Sequence, residues 1–194
     1  MNYTIYIIGI CIVMFIFELF FNSLVPILSF NPANALNMPW QFITAMFIHA
    51  NFMHLFANMF VLFFFGIKLE RLIGGANFIK VFFISGIVGN IAYLLYSDYT
   101  NTYIPALGAS GAISGVLGTL TILEPNMKIV MFPLPIPIKL KTATMVFAIF
   151  EIICVLFSIL PSIGHICHLG GLFTGIFFGK MFKKNTYKSN IYFY

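Results

Sequence analysis

Six long apolar runs constrain the fold of this chain more than any other feature of the sequence. A helix rises 1.5 Å per residue, so about 20 apolar residues cross a hydrocarbon core of about 30 Å. With 61% hydrophobic and 8% charged residues, the chain lacks the polar surface of a soluble domain. We therefore predict an all-α, polytopic membrane protein with one domain over residues 1–184. Its predicted transmembrane helices lie at about 4–22, 52–67, 77–97, 108–123, 142–160 and 164–182.

The positive charges predict the orientation of these helices. With six spans, every Lys and Arg falls on one side of the membrane, and by the positive-inside rule that side is the cytoplasm. We therefore expect a multi-pass protein of the cell membrane with both termini cytoplasmic, including a short disordered tail at 185–194. The basic residues are Lys68, Arg71, Lys80, Lys128, Lys139, Lys141, Lys180, Lys183, Lys184 and Lys188. Because this distribution follows topology, we expect the lipid bilayer, and no nucleic acid, as a partner.

Two connecting segments have unusual compositions. The loop over 23–51 carries no charge and is rich in aromatic residues, while prolines at 26, 32 and 39 prevent a continuous span. We expect this first loop to be embedded in the membrane interface. The connector before Lys139 contains Pro133, Pro135 and Pro137, which predict an extended cytoplasmic segment.

Counting residues along the helices places four polar side chains at a similar depth. Ser110 lies about 20 Å above the cytoplasmic end of its helix, and His168 lies about 18 Å above Lys180. Asn58 and His54 lie about 15 and 21 Å above Lys68 by the same count. The helix that contains Ser110 is short, so the backbone over 104–108 must enter the membrane without helical hydrogen bonds. Such backbone is tolerated only in protein or beside a watery cavity, which predicts a cavity open to the extracytoplasmic side.

Small residues favour contact between the fourth and sixth helices. Gly171, Gly175 and Gly179 share the helix face of His168, and Gly111, Gly115 and Gly118 form a strip near Ser110. Glycine strips let helix backbones approach closely in lipid, so Ser110 and His168 are expected to meet. The same strips also suit packing without any chemistry.

Taken together, the motifs of this chain resemble the rhomboid family of intramembrane serine proteases. The resemblance implies a six-helix bundle and a Ser–His dyad that cleaves proteins within or near their transmembrane segments. Single-pass and other transmembrane proteins are thus the implied substrates. The matching positions are Trp40, His49, His54-x-x-x-Asn58, Gly66, Glu70-Arg71, Gly74, Gly108-x-Ser110-Gly111 and His168-x-x-Gly171-x-x-x-Gly175.

The resemblance also assigns roles to individual residues. Ser110 is expected to be the nucleophile and His168 the general base. His54, Asn58 and the Ser110 backbone N–H are expected to stabilise the oxyanion, and His49 matches a structural histidine. Nothing in the spacing connects the intramembrane acids Glu18 and Glu151 to His168. We therefore expect a dyad without an acidic third member.

Two positions depart from the family pattern. Gln41 follows Trp40 where many members carry Arg, and Ser114 stands where an aromatic residue often packs against the catalytic histidine. The orientation of His168 must then be secured by other residues. Ser114 is also a rival nucleophile, one turn deeper than Ser110.

Other functions are compatible with parts of the sequence. His165 and His168 suggest a metal site, but the pattern H-E-x-x-H is absent, and we expect neither metal nor cofactor. Glu18 and Glu151 could relay protons in a small transporter, although hydrogen bonding to a neighbouring helix is the favoured interpretation. A catalytically inactive rhomboid-like protein that binds transmembrane helices is a further alternative to a serine endopeptidase.

Overall fold

A computed structural model of the chain describes residues 2–131, 134–161 and 163–191. Within these ranges the chain forms six helices of 14 or more residues, which we number α1 to α6. They are α1 (Tyr3–Phe20), α2 (Phe52–Ile73), α3 (Gly75–Thr100), α4 (Ser110–Leu123), α5 (Leu140–Leu156) and α6 (His165–Ile191). Three of them, α1 to α3, are long and apolar enough to cross a membrane, and α4 is a shorter apolar helix. The protein is therefore a helical membrane protein, while the count of six spans stays a prediction.

Helix α2 continues past the predicted end at residue 67 because no breaker stops it before Gly74. It contains a π-helical turn at Leu62–Gly66. Gly74 ends it with φ of 80°, a conformation that glycine adopts without strain. Near this end, the exposed Lys68 ammonium lies 3.9 Å from the carboxylate of Glu124, which follows α4. The ends of α2 and α4 therefore lie on the same side, as the predicted topology requires.

The connector between α4 and α5 differs from the prediction. Instead of an extended linker, the chain forms an antiparallel hairpin of β1 (Lys128–Met131) and β2 (Leu134–Lys139). The register pairs Lys128 with Lys139. A two-stranded hairpin has only edge strands, and edge strands accommodate proline. The described part of the chain is therefore mostly helical rather than strictly all-α.

Helix α6 is longer than predicted, while the disordered tail expected at 185–194 stays a prediction. Helix α6 continues through 185–191 to Ile191, because no proline or glycine follows Gly179 to end it. Adding residues to an existing helix is easier than nucleating a new one. Residues 192–194 lie outside the described residues.

The first loop folds back on α3 instead of running freely between helices. It contains short helices at Leu24–Leu28 and Gln41–Thr44 and 3₁₀ turns at Pro32–Asn34 and Ala45–Phe47. The Asn90 amide of α3 donates a hydrogen bond to the Phe42 carbonyl at 3.0 Å. Phe30 is fully buried, and its ring meets that of Phe42 edge to face at 4.8 Å between centroids. These contacts fix the loop beside the helix bundle; its depth in the membrane stays a prediction.

Helices α4 and α6 pack backbone against backbone, and the predicted glycine contact between them is confirmed. Gly171 faces the carbonyl of Gly111, and Gly175 faces that of Gly115. The Thr119 hydroxyl lies 2.9 Å from both the Gly115 and the Gly175 carbonyl oxygens, which links the two helices by a hydrogen bond. A side chain at either α6 glycine would collide with backbone atoms, so this approach requires glycine.

Candidate active site

Ser110 is the first residue of α4, and irregular backbone leads to it as predicted. Phe30 and Ala106 pair with each other through two N–H to carbonyl hydrogen bonds, both 2.8 Å long. The Gly108 N–H donates to the Ala45 carbonyl at 2.8 Å. The Tyr93 hydroxyl donates to the Ile104 carbonyl at 2.9 Å. The protein therefore supplies partners for several backbone polar groups of this segment, which is what burial of non-helical backbone requires.

Ser110 and His168 are in direct contact. The Ser110 hydroxyl oxygen lies 2.7 Å from His168 Nε2, a short hydrogen bond between α4 and α6. The close backbone packing of these helices brings the two side chains together. In this arrangement a neutral imidazole can accept the hydroxyl proton, which is the geometry of an activated serine.

A cavity of about 550 Å³ lies over this pair. His54 and Asn58 of α2 line it together with Ser110 and His168, so the structure brings all four predicted side chains to one space. The backbone over 105–108 forms part of its wall. A cavity is therefore present where the short fourth helix predicts one, while its opening to the extracytoplasmic side stays a prediction.

His54 carries a hydrogen-bond donor at the cavity. Its Nδ1 accepts a long hydrogen bond from the Ala50 N–H at 3.4 Å, which assigns the proton of the neutral ring to Nε2. The ring also lies against Gly108, where an added Cβ would be 2.7 Å from His54 Cε1. Gly108 has φ of 116°, so glycine is required there both for the backbone and for the approach of this ring.

Two further donors complete the potential oxyanion site. The Asn58 amide donates one N–H to the His54 carbonyl at 2.8 Å and carries a second N–H. Ser110 opens a helix, so its backbone N–H has no carbonyl partner within that helix. The chemistry of the three groups suits stabilisation of a developing negative charge.

His49 lies behind His54 rather than in the cavity wall. Its ring is buried, with a centroid 5.2 Å from that of His54. Burial, reinforced by the neighbouring His54, lowers the pKa of His49 from 6.5 to about 4. Its backbone N–H donates to the Glu18 carboxylate at 3.4 Å. Glu18 therefore bonds to the first loop and does not contact His168.

The prediction that no acid contacts His168 is wrong. Glu151 of α5 places one carboxylate oxygen 3.1 Å from His168 Nδ1 and the other 2.7 Å from His165 Nδ1. The spacing along the chain did not suggest this contact, since Glu151 lies 17 residues before His168. The depth of Glu151 could have been counted from the sequence. Glu151 lies ten residues above Lys141, about 15 Å, which is the same depth as Asn58.

An aromatic side chain from another helix packs near His168, in place of the one missing at Ser114. Phe147, one turn before Glu151, places its ring 6.2 Å from that of His168 at an angle of 33°. Ser114 is buried and donates its hydroxyl to the Ser110 carbonyl at 2.9 Å. It therefore does not share the position of Ser110 beside the imidazole.

Glu151, His165 and His168 form the one potential metal-binding group among the described residues. Their ligand atoms lie within 4.8 Å of one another. Hydrogen bonds account for the same arrangement, because each carboxylate oxygen faces one ring nitrogen. The group is compatible with a divalent metal, and the experiments below include a test for it.

Comparisons with known proteins agree with these observations. Residues 36–185 match the model of the rhomboid domain family. The chain is 34% identical over 145 residues to rhomboid protein 1, mitochondrial, of Saccharomyces cerevisiae, covering 73% of this chain and 41% of that protein. It is 40% identical over 79 residues to the putative rhomboid protease YdcA of Bacillus subtilis, covering 41% and 38%.

A second Bacillus subtilis relative, rhomboid protease GluP, is 37% identical over 81 residues, covering 42% of this chain and 15% of that protein. The chain thus spans less than half the length of each of these relatives. The family model nevertheless covers most of the chain, including the cavity and the four residues that meet there. On this evidence the chain belongs to the rhomboid family.

Proposed function

We propose that the chain is an intramembrane serine endopeptidase that cleaves transmembrane proteins in or near their membrane-spanning segments. Ser110 is the nucleophile and His168 the general base. The observation that carries the proposal is the 2.7 Å contact between Ser110 Oγ and His168 Nε2 within a cavity. Without a nearby base a serine hydroxyl is a weak nucleophile, and a neutral imidazole at this distance supplies one.

The reaction proceeds in two displacements. As Ser110 Oγ attacks the scissile carbonyl carbon, its proton moves to His168 Nε2, and the carbonyl oxygen becomes an oxyanion. His54 Nε2–H, the Asn58 amide and the Ser110 backbone N–H stabilise that charge. His168 then gives its proton to the leaving amine, and the C–N bond breaks. The acyl-enzyme is hydrolysed by water from the cavity, with His168 as base again.

The proposed location of the reaction rests on the predicted topology. We place the protein in the cell membrane with both termini in the cytoplasm and the cavity open to the extracytoplasmic side. The positive charges at the ends of α2 and α6 and in the hairpin support this orientation. A substrate helix would then present its cleavage site from the bilayer to a cavity that admits water.

The proposal is tested with the purified full chain in liposomes and a model single-pass substrate. Ser110→Ala and His168→Ala should each lower the cleavage rate by at least about 10³-fold, because the nucleophile and base act as a unit. Ser114→Ala is the matched control, one helical turn away, and should keep the wild-type rate. Cleavage that survives Ser110→Ala contradicts the proposal, and binding of the substrate without cleavage by the wild type supports an inactive rhomboid-like protein instead.

A further inference from the structure

Glu151 is a buried carboxylate in the middle of an apolar helix. Glu151 is 3% exposed, and most of the neighbouring side chains on α5 are apolar. An isolated ionised carboxylate in such surroundings is strongly unfavourable, so a group of this kind is expected to be paired and to have a function. Both of its oxygens are paired, and both partners are histidines of α6.

The hydrogen-bond partners fix where protons lie on His165. Its Nε2 is 3.1 Å from the Ile159 carbonyl oxygen and 3.2 Å from that of Leu160. Carbonyl oxygens only accept hydrogen bonds, so Nε2 must carry a proton. The 2.7 Å contact between His165 Nδ1 and Glu151 then contains one further proton, shared between ring and carboxyl. With that proton the pair has no net charge. Most of the free-energy cost of moving an ionised carboxylate out of water is therefore avoided.

The tautomer of His168 follows from the proposed activation of Ser110. Its Nε2 must accept the Ser110 hydroxyl proton if Ser110 is to be activated, so in the neutral ring the proton lies on Nδ1. That N–H faces the other oxygen of Glu151 at 3.1 Å. When Nε2 takes up the serine proton, the imidazolium that forms still donates through Nδ1 to the carboxylate. Glu151 therefore favours the productive tautomer and keeps its hydrogen bond to His168 as the imidazolium forms.

We infer that Glu151 is a positioning residue that completes a Ser110–His168–Glu151 triad, with His165 holding the carboxylate in place. Phe147 packs on the His168 ring from the same helix, so α5 supplies both supports of the histidine. The inference rests on the proposed function, since it assigns a role in the reaction of Ser110. It also explains how His168 is oriented although Ser114 occupies the position where the family often has an aromatic residue.

The experiment compares three variants of the full chain with the wild type, in buffer with and without EDTA. Glu151→Gln keeps the size of the side chain but presents an amide, which can donate to Nδ1 and select the wrong tautomer. Glu151→Asp keeps the carboxylate. Glu18→Gln is the matched control, because Glu18 is also a buried intramembrane acid but does not contact His168. Cleavage of the model substrate and the rate of Ser110 labelling by a fluorophosphonate are measured for each.

The expected result is a 10²- to 10⁴-fold loss of kcat and labelling rate in Glu151→Gln with little change in KM. Glu151→Asp should recover part of the rate, and Glu18→Gln should match the wild type. The chain has four histidines, so ¹⁵N-histidine NMR can assign each ring through single variants. His168 should show the Nδ1–H tautomer in the wild type and the Nε2–H tautomer in Glu151→Gln, a change that simple loss of packing does not produce.

Each other outcome overturns a defined part of the account. Wild-type labelling and an unchanged His168 signal in Glu151→Gln would overturn the role of Glu151 while leaving the protease proposal intact. Equal losses in the Gln and Asp variants, with a lower melting temperature and an unmoved His168 tautomer, would reduce Glu151 to a structural residue. Loss of wild-type activity in EDTA would assign Glu151, His165 and His168 to a metal. A wild type that neither cleaves nor is labelled in either buffer would overturn the proposed function and this inference with it.

Discussion

At the scale of single residues, the site depends on groups that act through their neighbours. Gln41 stands where many family members have Arg, yet it is fully buried and organises the first loop. Its amide N–H groups lie 3.2 and 3.1 Å from the Pro26 and Ile27 carbonyls, and its oxygen accepts from the Asn31 N–H at 2.9 Å. The neutral Gln41 amide thus stands in the place of a charged Arg. It forms hydrogen bonds with backbone groups of the loop that packs beside the cavity.

Gly108 is the residue whose substitution should affect the site most selectively. In Gly108→Ala the new methyl group meets the His54 ring, and the backbone has φ of 116°. We expect about 1–3 kcal/mol lower stability from backbone strain and, in addition, a reduced cleavage rate, because His54 is displaced from the oxyanion site. Thermal unfolding and cleavage kinetics measure the two effects.

Gly74→Ala separates the effect of backbone strain from the effect of displacing the His54 ring. Gly74 also has positive φ, 80°, but an added Cβ there meets no atom within 4 Å. This variant should therefore lose stability while keeping the wild-type cleavage rate. Equal losses of activity in the two variants would show that Gly108 does not act through His54.

The sequence predicted which four residues meet at the cavity better than it predicted the side chains that contact them. Depth along a helix can be counted from residue numbers, and this count placed Ser110, His54 and His168 in one layer. The direction in which a side chain points depends on how the helices pack, and no count along one helix supplies it. Glu151 was missed for this reason: its depth was readable, but its contact with His168 depends on how α5 packs against α6.

At the scale of helices, the approach of α4 to α6 is the contact on which the site depends. Gly171→Ala would place a methyl group against the Gly111 carbonyl, which is backbone and cannot move aside. Overpacking of this kind typically lowers the free energy of unfolding by about 1–3 kcal/mol. Because the helices also separate, cleavage and fluorophosphonate labelling should fall together with the melting temperature.

Gly9→Ala is the control for this substitution. Gly9 lies within α1, and an added Cβ there meets no atom within 4 Å. Replacing an unconstrained helical glycine by alanine should leave the stability unchanged or raise it slightly. A Gly171→Ala protein as stable and active as this control would contradict the close packing of α4 and α6.

Glu70 joins the beginning of α1 to the end of α2. Its carboxylate accepts from the Tyr3 and Thr4 backbone N–H groups at 2.8 and 2.9 Å and from the Thr4 hydroxyl at 2.7 Å. The N–H groups at a helix start have no partners within the helix, and a negative charge there is favourable. Here the structure gives a physical role to a residue of the family motif that the sequence left without one.

Glu70→Ala should therefore lower the free energy of unfolding by about 1.5–3 kcal/mol, the usual range for hydrogen bonds to a charged group. Glu124→Ala is the matched comparison, since its carboxylate is exposed and lies 3.9 Å from the exposed Lys68 ammonium. That substitution should cost less than about 1 kcal/mol. Thermal unfolding of both proteins in the same detergent distinguishes the two values, and equal losses would contradict the capping role of Glu70.

At the scale of the whole molecule, hydropathy predicted a helical membrane protein, and charge predicted which helix ends share a side. The β hairpin and the continued last helix could not be predicted in this way, because proline patterns and polar tails specify local preference and leave the final pairing to tertiary context. The first loop was recognised as unusual, but its packing on α3 depends on contacts such as Asn90 to Phe42 that bring distant segments together.

His49 should make the stability of the whole protein dependent on pH. Its pKa is lowered from 6.5 to about 4, so below pH 6.5 the unfolded chain binds a proton that the folded protein excludes. The contribution of His49 to the free energy of unfolding should therefore be constant above pH 6.5 and decrease toward pH 4, by about 3 kcal/mol in total. Thermal unfolding in detergent across this range measures the decrease.

His49→Phe provides the comparison for the pH dependence, because it keeps a ring but removes the titrating group. The slope between pH 6.5 and 4 should become smaller in this variant. Glu18 and His54 also face His49, so Glu18→Gln and His54→Gln are measured in parallel. An unchanged slope in His49→Phe would contradict the assignment to this residue.

The central claim is that Ser110 is a nucleophile activated by His168, and covalent labelling tests it most directly. The wild-type chain is treated in liposomes with a fluorophosphonate, and the modified residue is identified by peptide mass spectrometry. We expect modification of Ser110 alone among the serines, lost in Ser110→Ala and strongly slowed in His168→Ala. Modification of Ser114 or another residue in place of Ser110, or labelling of Ser110 at an unchanged rate without His168, would contradict the account.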